Sequence, residues 1–207
     1  MESKTRTSLS ITFPLLFLFA ANNVMAQPIF DQLKAKFEAG QVFKANFIHT
    51  YLDSFTQETS NTEGSIWINS IGYRLESEQQ MIVVDGELSR SYEEARNRVI
   101  ISEYYPEDDD FAPSQMLSGM NETYTSSEKT LENGNTLITL ETDDDFASFM
   151  VVEIEVDSSI QPVKITAYDI ADNIIITTFS EREFIENDST IFEFIIPEDA
   201  EIVDMRY

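Results

Sequence analysis

One histidine, no cysteine and 38 acidic side chains set the reactive chemistry open to this chain. His49, without a thiol or a second imidazole, makes a zinc site improbable. Asp108, Asp109 and Asp110, and again Asp143, Asp144 and Asp145, gather carboxylates as calcium would require. They are consecutive, however, without the alternating ligands and glycine of a calcium loop, and read as solvated turns. With so many acids a pair at glycosidase spacing is bound to occur by chance, so such pairs carry no information. The G-x-S-x-G, P-loop and dinucleotide motifs are absent. The residues therefore indicate no enzymatic reaction, no metal and no cofactor. What they offer is apolar surface at regular spacing, whose chemistry is burial of hydrocarbon.

That surface is carried mainly by strands. Across 64–86, apolar residues alternate at Ile66 and Ile68, then at Tyr73 and Leu75, and run continuously through Met81, Ile82, Val83 and Val84. Ser70 and Gly72, the polar run 77–80, and the Asp85-Gly86 pair punctuate them, the last suited to a tight hairpin turn. Upstream, Ile29, Phe30, Leu33 and Phe37 repeat at helical spacing between Pro28 and Gly40, which predicts a helix over 28–39. From 42 to 51 the period changes to two, with Phe43, Ala45 and Phe47 on one face and Lys44, Asn46 and Thr50 on the other. The segment 53–63 is either a long hairpin loop or the ends of two strands. Further strands are expected over 88–92, 98–102, 122–131, 136–142, 147–156, 162–170, 174–183 and 190–196. A short helix opened by Pro113 and stopped by Gly119 interrupts them, with Met116, Leu117 and Met120 as its apolar side. In the strand near 150, Phe146, Met150, Val152, Ile154 and Val156 share one face and Glu153, Glu155 and Asp157 the other.

The pattern amounts to roughly ten or eleven antiparallel strands and two helices in one domain. A single sheet of that size must curl strongly, and helices with apolar stripes would cover its concave face. Residues 1–26 read as a cleaved secretory signal: Lys4 and Arg6, an apolar run over 11–21 too short to span a bilayer, and Val24-Met25-Ala26 before Gln27. Residues 27–207 are then the mature domain, lacking the cysteine of a lipid anchor and holding together by core burial alone. The net charge of −25, with only 13 scattered Lys and Arg, argues against nucleic acid and anionic membrane surfaces as partners.

Several segments, taken in order, resemble the periplasmic outer-membrane lipoprotein carrier family, LolA. Phe43-Lys44-Ala45-Asn46-Phe47 is similar to that family's F-x-A-x-F strand, and Gly64-Ser65-Ile66-Trp67-Ile68 to its G-x-[IL]-W-[IV] strand. Tyr73-Arg74-Leu75-Glu76 resembles its aromatic-Arg-aromatic-Glu strand, and Ile82-Val83-Val84-Asp85-Gly86 with Tyr92 its I-x-V-x-D-G…Y hairpin. Phe192-Glu193-Phe194 before Pro197, then Val203-Asp204, resembles the family's ending. The chain departs from the pattern where an R-P dipeptide is usual, having Asn69-Ser70-Ile71-Gly72, so latching of a lid through that arginine does not carry over. His49 stands where glutamine is usual and Leu75 where an aromatic is usual.

The resemblance implies a mainly β fold with a few α-helices: a strongly curved antiparallel sheet, an incomplete and unclosed β-barrel, with a helical lid over an apolar cavity. It implies a monomeric periplasmic chaperone of a Gram-negative bacterium. Such a chaperone receives acylated lipoproteins from an inner-membrane lipoprotein-releasing ABC transporter and delivers them toward an outer-membrane acceptor. The inward set expected from the alternation is Phe43, Phe47, Ile66, Ile68, Leu75, Met81, Val83, Met150, Val152 and Ile154, with Leu33, Phe37, Met116 and Leu117 from the lid. The alternative is that these residues are ordinary core. Arg74 is a candidate gate, with a cross-strand pair to a neighbouring glutamate as an equal reading. Trp67 alternates against Ile66 and Ile68, which favours the outer face over the cavity. Two other classes stand beside the carrier. One is a binding or sensing module of the same fold for another lipid or glycolipid, and the other is an enzyme on a curved sheet, which would show a polar cluster inside the cavity.

Overall fold

A computed structural model describes residues 27–109, 112–120 and 122–206. The signal segment expected at 1–26 lies outside the described residues. The first helix, α1 (Ile29–Glu38), buries Phe30, Leu33 and Phe37. It ends because Gly40, at φ +78°, lets its own N–H bond the Phe37 carbonyl while the N–H of Gln41 bonds that of Lys36. The chain then forms β1 (Val42–Leu52), β2 (Thr59–Ile68), β3 (Tyr73–Ser77), β4 (Gln80–Val84), β5 (Leu88–Glu93) and β6 (Arg98–Glu103), followed by a short helix, α2 (Pro113–Ser118). The second half contains β7 (Thr125–Thr130), β8 (Thr136–Glu141), β9 (Phe149–Val156), β10 (Pro162–Asp169), β11 (Ile174–Ile185) and β12 (Glu201–Asp204).

Among the described residues, all twelve strands belong to one sheet in the order β12-β6-β5-β4-β3-β2-β1-β11-β10-β9-β8-β7. The sheet does not close: β7 and β12 are its edges, and every residue of β7 is exposed. The result is the unclosed half-barrel with helices implied by the resemblance. The segment 53–63 is a short loop over 53–58 followed by the start of β2, which stays paired with β1 out to Leu52 and Thr59. Two expectations fail at the C-terminus. The strand expected over 190–196 is a 3-10 turn (Ser189–Phe192) followed by irregular chain, and the unforeseen β12 pairs with β6 in parallel rather than antiparallel fashion.

Gly64 shows how tightly the strands approach. A Cβ there would lie 1.9 Å from the carbonyl oxygen of Glu76 on β3, so this position of β2 admits no side chain without moving backbone.

One face of the half-barrel packs against both helices. Phe43, Ala45, Phe47, Ile66, Ile68, Ile138, Leu140, Phe149, Val152, Ile154, Ile165 and Phe179 form a buried cluster with Phe30, Leu33, Phe37, Met116 and Leu117. Phe43 is fully buried, its ring edge-on to Phe179 at 5.4 Å and tilted on Phe184 at 5.3 Å. Burying side chains of this size contributes about 1.5–3 kcal/mol each, which makes this cluster the main source of stability.

The opposite, convex face is apolar in part as well. Arg74 of β3 is opposite Val83 of β4, in a row that continues to Arg90 of β5 and Ile101 of β6, and it alternates with Leu75, which faces the helices. Val83 and Val99 are nonetheless fully buried. The Arg74 guanidinium donates to the carbonyls of Ile191 (3.1 Å) and Glu193 (2.8 Å), so the segment between β11 and β12 is held across this face.

Candidate ligand cavity

Beside the packed cluster, the concave face leaves a cavity of about 390 Å³. Its walls are Phe47 of β1, Ile66 of β2, Tyr73 and Leu75 of β3, Ile82 of β4, Ile165 of β10 and Ile175 and Phe179 of β11, with Pro113 and Met116 of α2. Period-two alternation brings these side chains to one face, and register places them side by side: Ile66 is opposite Leu75, which is opposite Ile82. Exposed Thr62 and Gln80 stand at its open side.

The residues expected to face inward divide into three groups. Phe47, Ile66, Leu75 and Met116 line the cavity. Phe43, Ile68, Val152, Ile154, Leu33, Phe37 and Leu117 lie on the same side but in the packed cluster. Met81 and Val83 are corrections. They share a face with Arg74, because the apolar run through β4 presents Ile82 and Val84 to the inside instead. Met150 is a correction too: a register shift at the start of β9 gives the fully buried position to Phe149 and leaves Met150 half-buried outside the cluster. Phe146, expected beside them, is 96% exposed in the turn before β9. Arg74 is no gate, since it lies on the convex face, paired with Glu76, donating to the C-terminal segment and 6.0 Å from the centre of the Trp67 ring. Trp67, directly opposite Arg74, is on that outer face as its alternation favoured.

Sequence reasoning missed Ile82, Ile165, Ile175, Thr177 and Phe179 as wall residues. The signal in β11 was present, since Ile175, Thr177 and Phe179 repeat with period two. In β4 four successive apolar residues give no parity.

The polar groups of the cavity are few. His49 Nδ1 is 3.0 Å from the hydroxyl of Thr177, and burial holds the imidazole below its ordinary range. No carboxylate hydrogen-bonds this imidazole among the described residues, so His49 and Thr177 form no catalytic triad. Tyr73 donates to Asp109 at 3.1 Å, and burial together with that carboxylate pushes the phenol well above its usual range. Tyr104, outside the lining, is raised to about 12 by burial and by the same Asp109. Among the described residues no group of three or more His, Asp or Glu side chains is placed to hold a metal ion.

Two contacts fix the helices over the sheet. The carboxylate of Glu128, on edge strand β7, accepts from the N–H groups of Ile29 (3.0 Å) and Phe30 (2.7 Å), filling the place that a side-chain cap leaves empty at the start of α1. The Tyr73–Asp109 bond ties the loop before α2 to β3. Where the family's R-P dipeptide is missing, Asn69 accepts instead from the N–H groups of Ile71 and Gly72 and holds the turn locally. Among the described residues no helix is long and apolar enough to cross a membrane.

No family model matches the sequence, and no curated protein matches it. Among solved structures, the chain is similar to an uncharacterized conserved protein from Thermus thermophilus, with a TM-score of 0.55 and 12% identity over 85% of this chain and 96% of that one. At that identity the likeness is one of fold. It is also similar to a LolA superfamily protein from Nitrosomonas europaea (TM-score 0.42, 10% identity, 81% and 99% covered). A DUF1329 family protein from Desulfovibrio piger gives a TM-score of 0.42 at 7% identity, with 80% and 95% covered.

Proposed function

We propose that this protein is a non-enzymatic periplasmic chaperone. In this reading it binds the acyl chains of lipoproteins released from the inner membrane by an ABC transporter and carries them toward the outer membrane. The observation that supports the reading is the apolar cavity on the concave face of an unclosed sheet, roofed by α2 and flanked by α1. Leaving an acyl chain in water costs about 0.8 kcal/mol per methylene, and a carrier has only to offer comparable burial. A wall of Phe, Ile, Leu and Met does so without a reactive group.

One observation favours a second reading, a binding or sensing module for another lipid. The cavity of about 390 Å³ is near the lower end of the roughly 300–1,000 Å³ typical of small-ligand pockets, less than three acyl chains would fill. Native mass spectrometry with lipid extraction on protein taken from the periplasm separates the two. Copurifying acylated lipoprotein, lost in Leu75→Asp and Ile82→Asp but kept when Met81 on the outer face is changed, is the expected result. A different bound lipid would select the second reading. A protein that stays empty and binds no added lipoprotein would refute both.

A further inference from the structure

The cavity wall is mainly hydrocarbon, and apart from Gln80, Asp109 and the Tyr73 hydroxyl its polar groups fall along one line. Thr62, His49 and Thr177 occupy opposed positions on β2, β1 and β11, so a polar row crosses three adjacent strands on the concave face. The next inward-facing row on one side carries Phe47 and Phe179, and the next on the other carries Tyr51 and Ile175. His49 and Thr177 are half-buried while Thr62 is at the open side, and half-buried polar groups are costly unless something bonds them. His49 and Thr177 bond each other, which leaves one imidazole nitrogen of His49, and the Thr62 hydroxyl beside it, facing the cavity.

The electrostatics restrict what could use them. Among the described residues the lining contains no Lys or Arg, and it includes the carboxylate of Asp109. Burial disfavours the His49 cation, so at neutral pH the ring offers one donor and one acceptor and no positive charge. A carboxylate or phosphate head would enter without a counter-charge, into a cavity that also holds Asp109, in a chain of net charge −25.

We infer that the cavity seats a single acyl chain with an uncharged head, an ester, amide or hydroxyl group hydrogen-bonded to the Thr62, His49 and Thr177 row. The chain lies along Ile66, Leu75, Ile82 and Met116. This deepens the acyl-binding reading and rests on it. Free fatty acids and anionic phospholipids are poor ligands on this account, whereas monoacylglycerols and N-acyl amides are good ones.

Isothermal titration of the delipidated protein at pH 7.5, with monolauroylglycerol, N-lauroylethanolamine and laurate each below its micelle concentration, tests the assignment. The two neutral amphiphiles are expected to bind one to one and at least tenfold more tightly than laurate. His49→Leu should weaken the neutral ligands about tenfold and leave laurate unchanged, while His49→Gln, which keeps a donor and an acceptor, should restore most of the loss. Melting curves of both variants identify any loss of fold. Laurate binding as tightly as the neutral pair, two or three chains per protein, or a folded His49→Leu with unchanged affinity would overturn the inference and leave the acyl-binding reading standing. Failure of all three amphiphiles to bind would overturn that reading as well.

Discussion

Glu128 is the place to test how the helices are held. It belongs to an edge strand that is exposed along its whole length, yet its two carboxylate oxygens accept from the first two amides of α1. Pro28, at the N-cap, offers no side-chain acceptor, so these two bonds are what the described structure supplies to the N–H groups of Ile29 and Phe30. Loss of an N-cap acceptor costs about 0.5–2 kcal/mol, and the negative charge at the positive end of the helix dipole adds about 0.3–1 kcal/mol at an exposed site. Glu128→Ala should therefore weaken the seating of α1 by about 1–3 kcal/mol, a change of roughly fivefold or more in a local opening equilibrium. Hydrogen exchange reads this directly: amides of 29–38 should exchange faster by that factor while those of β1 and β11 stay unchanged. Glu128→Gln, retaining an acceptor without the charge, should fall between wild type and Ala. Exchange in α1 no faster than in a Lys129→Ala control would refute the view that β7 pins the helix.

Phe43→Ala removes a fully buried ring from between Phe179 and Phe184 and should cost about 3–5 kcal/mol, seen as a lower denaturation midpoint at unchanged slope. Arg74→Ala should expose 186–200 to limited proteolysis while leaving acyl binding intact, the opposite of what a gate would show. Burial acts to raise the Asp85 carboxyl, but the Arg90 hydrogen bond and the N–H groups of Leu88 and Glu87 outweigh it and hold its pKa below the ordinary 3.8. Its stabilising contribution is thus present above that value and lost as pH falls through the lower folded one. Asp85→Asn should flatten this part of an acid-unfolding curve.

The strand pattern was legible wherever one face is buried and the other wet. β1 and β2 announce their parity in this way, and Phe47 and Ile66 reach the cavity accordingly. Parity failed in β4 because both of its faces are covered, the inner by the cavity region and the outer by a C-terminal segment that no local signal placed there. A run apolar on both sides carries no phase. In β9 one extra residue shifted the register, and Phe149 took the place expected for Met150. The division between cavity and core was not legible at all, because Ile66 and Ile68 are the same residue two positions apart and only the reach of α2 decides which meets empty space. Glu128, a charged residue in an exposed strand, gave no hint of its partner a hundred residues upstream.

The order of strands also bears on how the chain finds its fold. β1 through β6 form one run of successive hairpins and β7 through β11 another, each built from neighbours in sequence. The two runs meet at a single seam, β1 against β11, whose partners range from Val42 with Ile185 to Leu52 with Ile174. Hairpins form in microseconds, whereas joining distant segments must first overcome the entropy of closing the long intervening chain. Folding should therefore be limited by the seam. A destabilising change at Phe179, on the β11 side of that seam, should slow refolding, whereas one at Ser91 in the β4–β5 hairpin should mainly leave its mark on the unfolding rate. Refolding equally slowed by both would place the rate-limiting event within the hairpins instead. On this account the middle of the finished sheet should be made after the hairpins on either side of it.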